Sequence, residues 1–176
     1  MNDDLERSGM TKTNVIEVAQ IFNRHEIEYW LIGGWAIDFV LEIESQHKDM
    51  DFLVADNQKV KTHSALESIG FRKLGDSTDW ENGNDFLKRD ELLIDLAPIH
   101  VTDVPRLIGE YSTLEFPKNL LETKFLDVEG TRVRTLSPEM HIAIKHSIGS
   151  AFEGLREKDI LEIQLLKNHM RNRHVQ

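Results

Sequence analysis

Asp49 and Asp51 stand two residues apart in "HKDMDFLVA". In a strand, alternate side chains share a face, so the two carboxylates point one way while Met50, Phe52 and Val54 point into the core. Carboxylates at that spacing repel each other unless a cation lies between them. Mg²⁺ suits the position, because it takes oxygen ligands and joins one or two carboxylates to substrate phosphates. Taken alone, Asp-x-Asp is equally a charged entry to a strand. Asp95 adds a second observation: it is the one charge in "LLIDLAPI". Burying an unpaired carboxylate costs several kcal/mol, so Asp95 needs a partner. The partner is either an Arg or Lys, or a shared cation. If the strand at 91–97 lies beside that at 50–54, Asp95 faces Asp49 and Asp51. The three carboxylates then form a site for one or two Mg²⁺.

Gly33 and Gly34 close the apolar run "EYWLI" and precede "WAIDFVLEI". A strand that ends in Gly-Gly before a helix lets backbone N–H groups approach an anion, with the helix N-terminus behind them. Gly-Gly, a helix, and Asp-x-Asp on the next strand together place a phosphate cradle beside a metal site. Phosphoryl and nucleotidyl transfer need that arrangement.

The elements that must position these groups are readable in outline. "TNVIEVAQIFNRHEI" has the apolar spacing of an amphipathic helix, capped near Thr13. Strands are expected at 28–32, 50–55, "FRKLG", "NDFLKR" and 91–100, the last closed by Pro98. A polar loop joins the third and fourth. "NQKVKTHSALESIG" reads as a helix with Asn57 as cap and Gly70 as stop. "KFLDVEGTRVRTL" reads as a hairpin turning near Gly130. Residues 101–122 show no clear period and suggest a lid or an irregular helix. From Ser137, a cap followed by Pro138 at the first helical position, two helices end the chain. The plan is a mixed α/β (α+β) core over 11–135 and a helical subdomain over 136–176, with a charged arm at 1–10.

The composition sets bounds. At 176 residues, with 40% hydrophobic and 30% charged residues, the chain suits one soluble globular domain with a small helical annex. With no cysteine, thiolate metal sites, disulfides and cysteine nucleophiles are excluded. No apolar run is long enough to span a bilayer, and the polar start lacks the apolar core of a signal peptide, so a cytoplasmic protein is expected. The formal net charge of −10 disfavours a broad nucleic-acid surface and favours a cationic small substrate.

The segments "GGWAID", "HKDMD" and "LLIDLAP" resemble the DNA-polymerase-β-like nucleotidyltransferases, and among them the small enzymes that modify aminoglycoside or lincosamide antibiotics. The tail "LSPEMHIAIKH…LREKDILEIQLL" is similar to the helical end of minimal nucleotidyltransferases. Met50, where that family usually has Ile or Leu, and Lys48, a cation beside the acidic strand, depart from the pattern. The resemblance implies a mixed-sheet nucleotidyltransferase core with a C-terminal helical subdomain. It implies Asp49, Asp51 and Asp95 as metal ligands, with Asp95 also able to take the acceptor's proton. Gly33, Gly34, Lys145 and Lys158 would hold the triphosphate. The implied reaction moves a nucleoside monophosphate, AMP from ATP by default, to a hydroxyl of a small-molecule acceptor and releases pyrophosphate. The protein would act as a monomer or a homodimer. Alternatives are transfer to tRNA or protein, and a non-catalytic module that keeps the fold for binding.

Other residues carry bland readings alongside functional ones. Asp38 reads as part of a solvated helix face, and Trp35 as a packing wedge. His47 either orients the site or lies on the surface. Glu110, Tyr111 and Glu115 fall in the unreadable segment, where carboxylates would suit a cationic acceptor.

Overall fold

The computed structural model describes residues 9–75, 80–152 and 154–173. Most of the arm expected at 1–10, and residues 76–79 of the polar loop, lie outside the described residues. In chain order the elements are α1 (Lys12–Arg24), β1 (Tyr29–Ile32), α2 (Gly33–Leu41), β2 (Met50–Ala55), α3 (Lys59–Ser68), β3 (Arg72–Leu74), β4 (Asp85–Arg89), β5 (Leu92–His100), β6 (Arg106–Leu107), β7 (Lys124–Val128), β8 (Thr131–Thr135), α4 (Pro138–Ala151) and α5 (Glu157–Arg173). The strands form one mixed sheet in the order β3-β4-β5-β2-β1-β8-β7, with β6 paired onto β5. β2 runs parallel to β5 and β1 parallel to β8; the other pairs are antiparallel.

Alternation along the strands separates two apolar layers. On one face Tyr29, Leu31, Met50, Phe52 and Val54 pack against α1, with Phe22, Tyr29 and Phe52 in mutual ring contact. On the other, Trp30, Leu53 and Ile99 meet Met140 and Ile144 of α4 together with Leu107, Leu114 and Leu120. The segment 101–122 is thus neither a regular helix nor a free flap. It contributes the two-residue β6 and a 3₁₀ turn at Gly109–Tyr111, and it inserts three leucines into the second layer.

Local chemistry explains several element ends, and corrects several expectations. The first helix is capped at Thr11 rather than near Thr13, and Asn14 Oδ1 accepts from Thr11 N at 2.8 Å. Asn57 is not a cap; it lies within a 3₁₀ turn at Asp56–Gln58, and α3 starts at Lys59. β5 does not stop at Pro98 but runs on to His100. Pro98 O accepts from Ile108 N, and the proline nitrogen faces the same side, in the gap between β4 and β6. The hairpin turn is Glu129-Gly130, both at positive φ, as a two-residue loop requires. Ser137 caps α4 by accepting from Met140 N, with Pro138 in the first turn. Among the described residues no helix is long and apolar enough to cross a membrane.

Candidate active site

The parallel pairing of β2 with β5 sets Asp51 directly opposite Asp95. Asp49 lies two residues before Asp51, at the entry to β2. Both Asp51 and Asp95 line a cavity of about 230 Å³ on the α4 face of the sheet. Asp51 also lines a second, larger cavity of about 630 Å³, together with Gly33, His141, Lys145, Arg156 and Asp159. Asp51 therefore stands where the two spaces meet.

The electrostatics are those of crowded acids. Burial, then Asp49 and Asp95, push the Asp51 carboxyl up to about 7, against the pull of Lys158 and Lys145. Burial, then Asp49 and Asp85, push Asp95 up to about 7 as well. Asp95 Oδ1 is buried and accepts no hydrogen bond. No Arg or Lys pairs with Asp95 among the described residues, so the ion-pair reading of this carboxylate is not what the fold provides. Among the described residues no three acidic or histidine side chains are drawn together as a finished metal cage. The orphaned oxygen, the raised acids and the all-oxygen donor set nevertheless fit a hard divalent cation.

The helix α2 begins at Gly33, so the two glycines form its first turn rather than a link before it. Gly33 has φ +67°, and a Cβ there would overlap the Asp51 carboxylate. At Gly34 a Cβ would overlap the His47 imidazole.

Lys145 lines the larger cavity, where its Nζ donates to Asp159 Oδ1 at 2.7 Å and pairs with Glu162. Lys158 does not line that cavity; it is exposed, with its Nζ 3.6 Å from Glu162. Arg156 donates through Nε to Asp159 Oδ2 at 2.7 Å, and with Lys145 it holds the Asp159 carboxyl far below the usual range. Sequence reasoning marks the stretch "REKD" as part of the resemblance but gives Arg156 no role of its own. It also passes over His141. That residue lies one turn before Lys145 on the same face of α4, and burial, then Lys145, push it down to about 4.

The smaller cavity is walled mainly by apolar groups, among them Leu53, Ala97, Ile99 and Leu114. Apart from the two acids its polar groups are Asn84 and Tyr111, with Asn84 Nδ2 donating to Tyr111 Oη at 3.2 Å. Glu110 and Glu115 are exposed and do not line it, so a carboxylate wall for a cationic acceptor is not what residues 101–122 supply. Trp35 is buried, as a packing wedge should be, and donates to Met10 S. Asp38 is not on a solvated face: it is 3% exposed and accepts from Ser45 and His47.

The fold is that of a nucleotidyltransferase. The aminoglycoside-2''-adenylyltransferase family model matches residues 14–166, and the chain belongs to that family. A lincosamide resistance protein from Staphylococcus haemolyticus is 25% identical over 101 residues, which are 56% of this chain and 61% of that protein. The chain thus aligns with about three fifths of that relative's length. Among solved structures, the lincomycin-bound lincosamide antibiotic adenylyltransferase LnuA superposes with a TM-score of 0.69 at 21% identity, over 90% of this chain and 97% of that one. ANT(2'')-Ia in complex with adenylyl-2''-tobramycin gives 0.68 at 18% identity, over 90% and 88%. A nucleotidyltransferase-like structure from Thermotoga maritima gives 0.57 at 14% identity, over 81% and 89%.

Proposed function

We propose that the chain transfers a nucleoside monophosphate, AMP from ATP, to a hydroxyl of a small antibiotic and releases pyrophosphate. The observation that carries this reading is Asp51 at the junction of two cavities, in register with Asp95 on the wall of the smaller one. The larger cavity, with the first turn of α2, Lys145 and Arg156, suits a triphosphate. The smaller one suits the acceptor. Asp49, Asp51 and Asp95 would hold Mg²⁺, which when bound supplies charge neutralisation at the phosphates. Asp95, opposite Asp51 on the wall of the smaller cavity, is placed to accept the proton of the attacking hydroxyl. Its apolar surroundings keep bulk water from competing for the donor. Lys158, exposed and off the cavity wall, acts on the donor only through long-range charge.

The acceptor is a hydroxylated antibiotic of the lincosamide or aminoglycoside kind. Net charge alone favours a polycation, but the wall around Asp95 is apolar, and it favours an acceptor with an apolar limb. That combination points to a lincosamide ahead of an aminoglycoside. The test is incubation with ATP and Mg²⁺ against both antibiotic classes at low and high salt, reading pyrophosphate release and product mass. Turnover of lincosamides with a salt-insensitive KM supports the apolar wall as the selector. Turnover of aminoglycosides with a KM that rises with salt returns selection to the protein's charge. Labelling of tRNA or protein with no antibiotic turnover overturns the small-molecule reading.

A further inference from the structure

The chain from residue 42 to residue 49 carries Asp49 but has no helix or strand of its own. It is tied to α2 at one buried carboxylate. Asp38 Oδ2 accepts from Ser45 N at 2.7 Å, and Asp38 Oδ1 from Ser45 Oγ at 3.0 Å. His47 Nε2 meets Asp38 Oδ2 at 2.8 Å. A carboxylate only accepts, so the imidazole proton of this bond sits on Nε2. His47 is 6% exposed, and its ring packs on Trp35 with centroids 4.8 Å apart. The adjoining edge of the ring, Nδ1 and Cε1, fills the space a side chain on Gly34 would need.

The two glycines are therefore glycines for different reasons. Gly33 needs its positive φ and makes room for Asp51; Gly34 makes room for His47. The first turn of α2 is a socket that receives one side chain from β2 and one from the strap that leads into it. Neither His47 nor Asp38 lines the donor or the acceptor cavity, so their influence must pass through other residues.

We propose that His47, clamped by Asp38 and seated on Gly34, is a positioning residue that holds Asp49 in register with the Gly33–Gly34 turn. The inference rests on the nucleotidyl-transfer reading, and it makes the metal ligand and the anion-binding turn one rigid unit. Without the clamp, the strap keeps its sequence but loses the anchor nearest Asp49. The consequence is weaker metal binding and slower transfer, with acceptor binding unaffected.

The test uses the full chain and Mn²⁺ as probe, followed by calorimetry and by the electron paramagnetic resonance signal of bound Mn²⁺. His47→Ala and Asp38→Ala should each weaken Mn²⁺ binding about tenfold or more, the scale seen for outer-shell partners of metal ligands. They should lower kcat and leave the acceptor KM within about twofold of the parent, because neither residue lines that cavity. In His47→Gln the amide nitrogen reaches the place of Nε2, and most of the Mn²⁺ affinity should return. If His47→Ala does not fold, the Gln variant and Gly34→Ala carry the test.

Gly34→Ala should cost Mn²⁺ affinity in the parent but add little to a His47→Ala background, where the new methyl finds space. An equal cost in both backgrounds would show that Gly34 serves something other than His47, and would overturn the seating. Mn²⁺ affinity and kcat preserved in His47→Ala within about twofold would reduce the pair to packing. If the parent binds Mn²⁺ but modifies no acceptor, the transfer reading fails while the affinity series still decides the clamp. A parent that binds no Mn²⁺ overturns both.

Discussion

Strands β2 and β5 hold Asp51 and Asp95 in a ladder of six paired positions, whereas residues 101–122 hold the proposed acceptor wall by a two-residue pairing at β6 and otherwise by loop and side-chain contacts. In the first region a one-residue slip would turn both acids away from the cavity and bring core residues to it, so the hydrophobic pattern itself enforces the chemistry. In the second, Leu107, Leu114 and Leu120 must stay buried, but past the short β6 pairing at Leu107 no ladder dictates which groups lie between them. The register of the reaction edge can hardly shift without unfolding, while the wall can change and alter what binds. The largest effects should come from the edge. Asp49→Asn, Asp51→Asn or Asp95→Asn should each lower transfer by about a hundredfold to a thousandfold, with circular dichroism and thermal unfolding showing an intact fold. A variant that keeps a tenth or so of the parent rate would remove that residue from the reaction edge.

The same contrast decides how much can be read from the sequence. Asp95 is legible because a charge inside "LLIDLAPI" stands out, and β5 does lie beside β2 in the register that sets Asp51 opposite it. Gly33 is legible as a turn, but its contact with Asp51 needs three dimensions. Asp38 misleads because a lone acid on a helix is most often solvated. Its partners, Ser45 and His47, come from a segment with no period to show that it folds back. Tyr111 and Asn84 meet only because the turn at Gly109–Tyr111 docks on the loop before β4. Residues 101–122 carry no helix or strand period because they build none of length, and their three leucines are spaced by the shape of the sheet face. Asn57 and Thr13 are plausible caps on composition, and each loses to a neighbouring residue that begins the helix.

A smaller and more selective effect should follow from narrowing the wall. Ala97 lies two residues beyond Asp95, on the same face of β5, and lines the acceptor cavity. Ala97→Leu adds methyl groups where the cavity measures about 230 Å³. The expected result is an acceptor KM raised about tenfold, in keeping with the value of one or two methylenes in an apolar pocket. The ATP KM should not move, because Ala97 does not line the larger cavity proposed for the donor. Equal changes in both constants would mean that edge and wall are not separable, and the contrast between them would fail.

The smallest effect is on stability, and it isolates the edge without any reaction. In the chelated protein Asp95 keeps its proton up to about pH 7, whereas in the unfolded chain an aspartate loses it near pH 4. Between those values the native state binds more protons than the unfolded state, so stability falls as pH rises through the window. Its contribution is fully present below about pH 4 and is lost above about pH 7. Asp51 acts in the same direction. His141 acts in the opposite one, since its pKa is pushed down to about 4 and its stabilisation is lost as pH falls from about 6.5. A plain pH profile mixes the two, so the informative quantity is the difference between Asp95→Asn and the parent. An asparagine side chain cannot ionise, so the variant's melting temperature should gain on the parent's by a few degrees as pH is raised from about 5 to about 8 in the presence of chelator. Mg²⁺ added at the upper end of that range should then stabilise the parent more than the variant and close the gap, because only the parent offers the full set of carboxylates. A difference that does not change with pH would mean that Asp95 is ionised and already paired in the folded chain, and the acid edge would need another explanation.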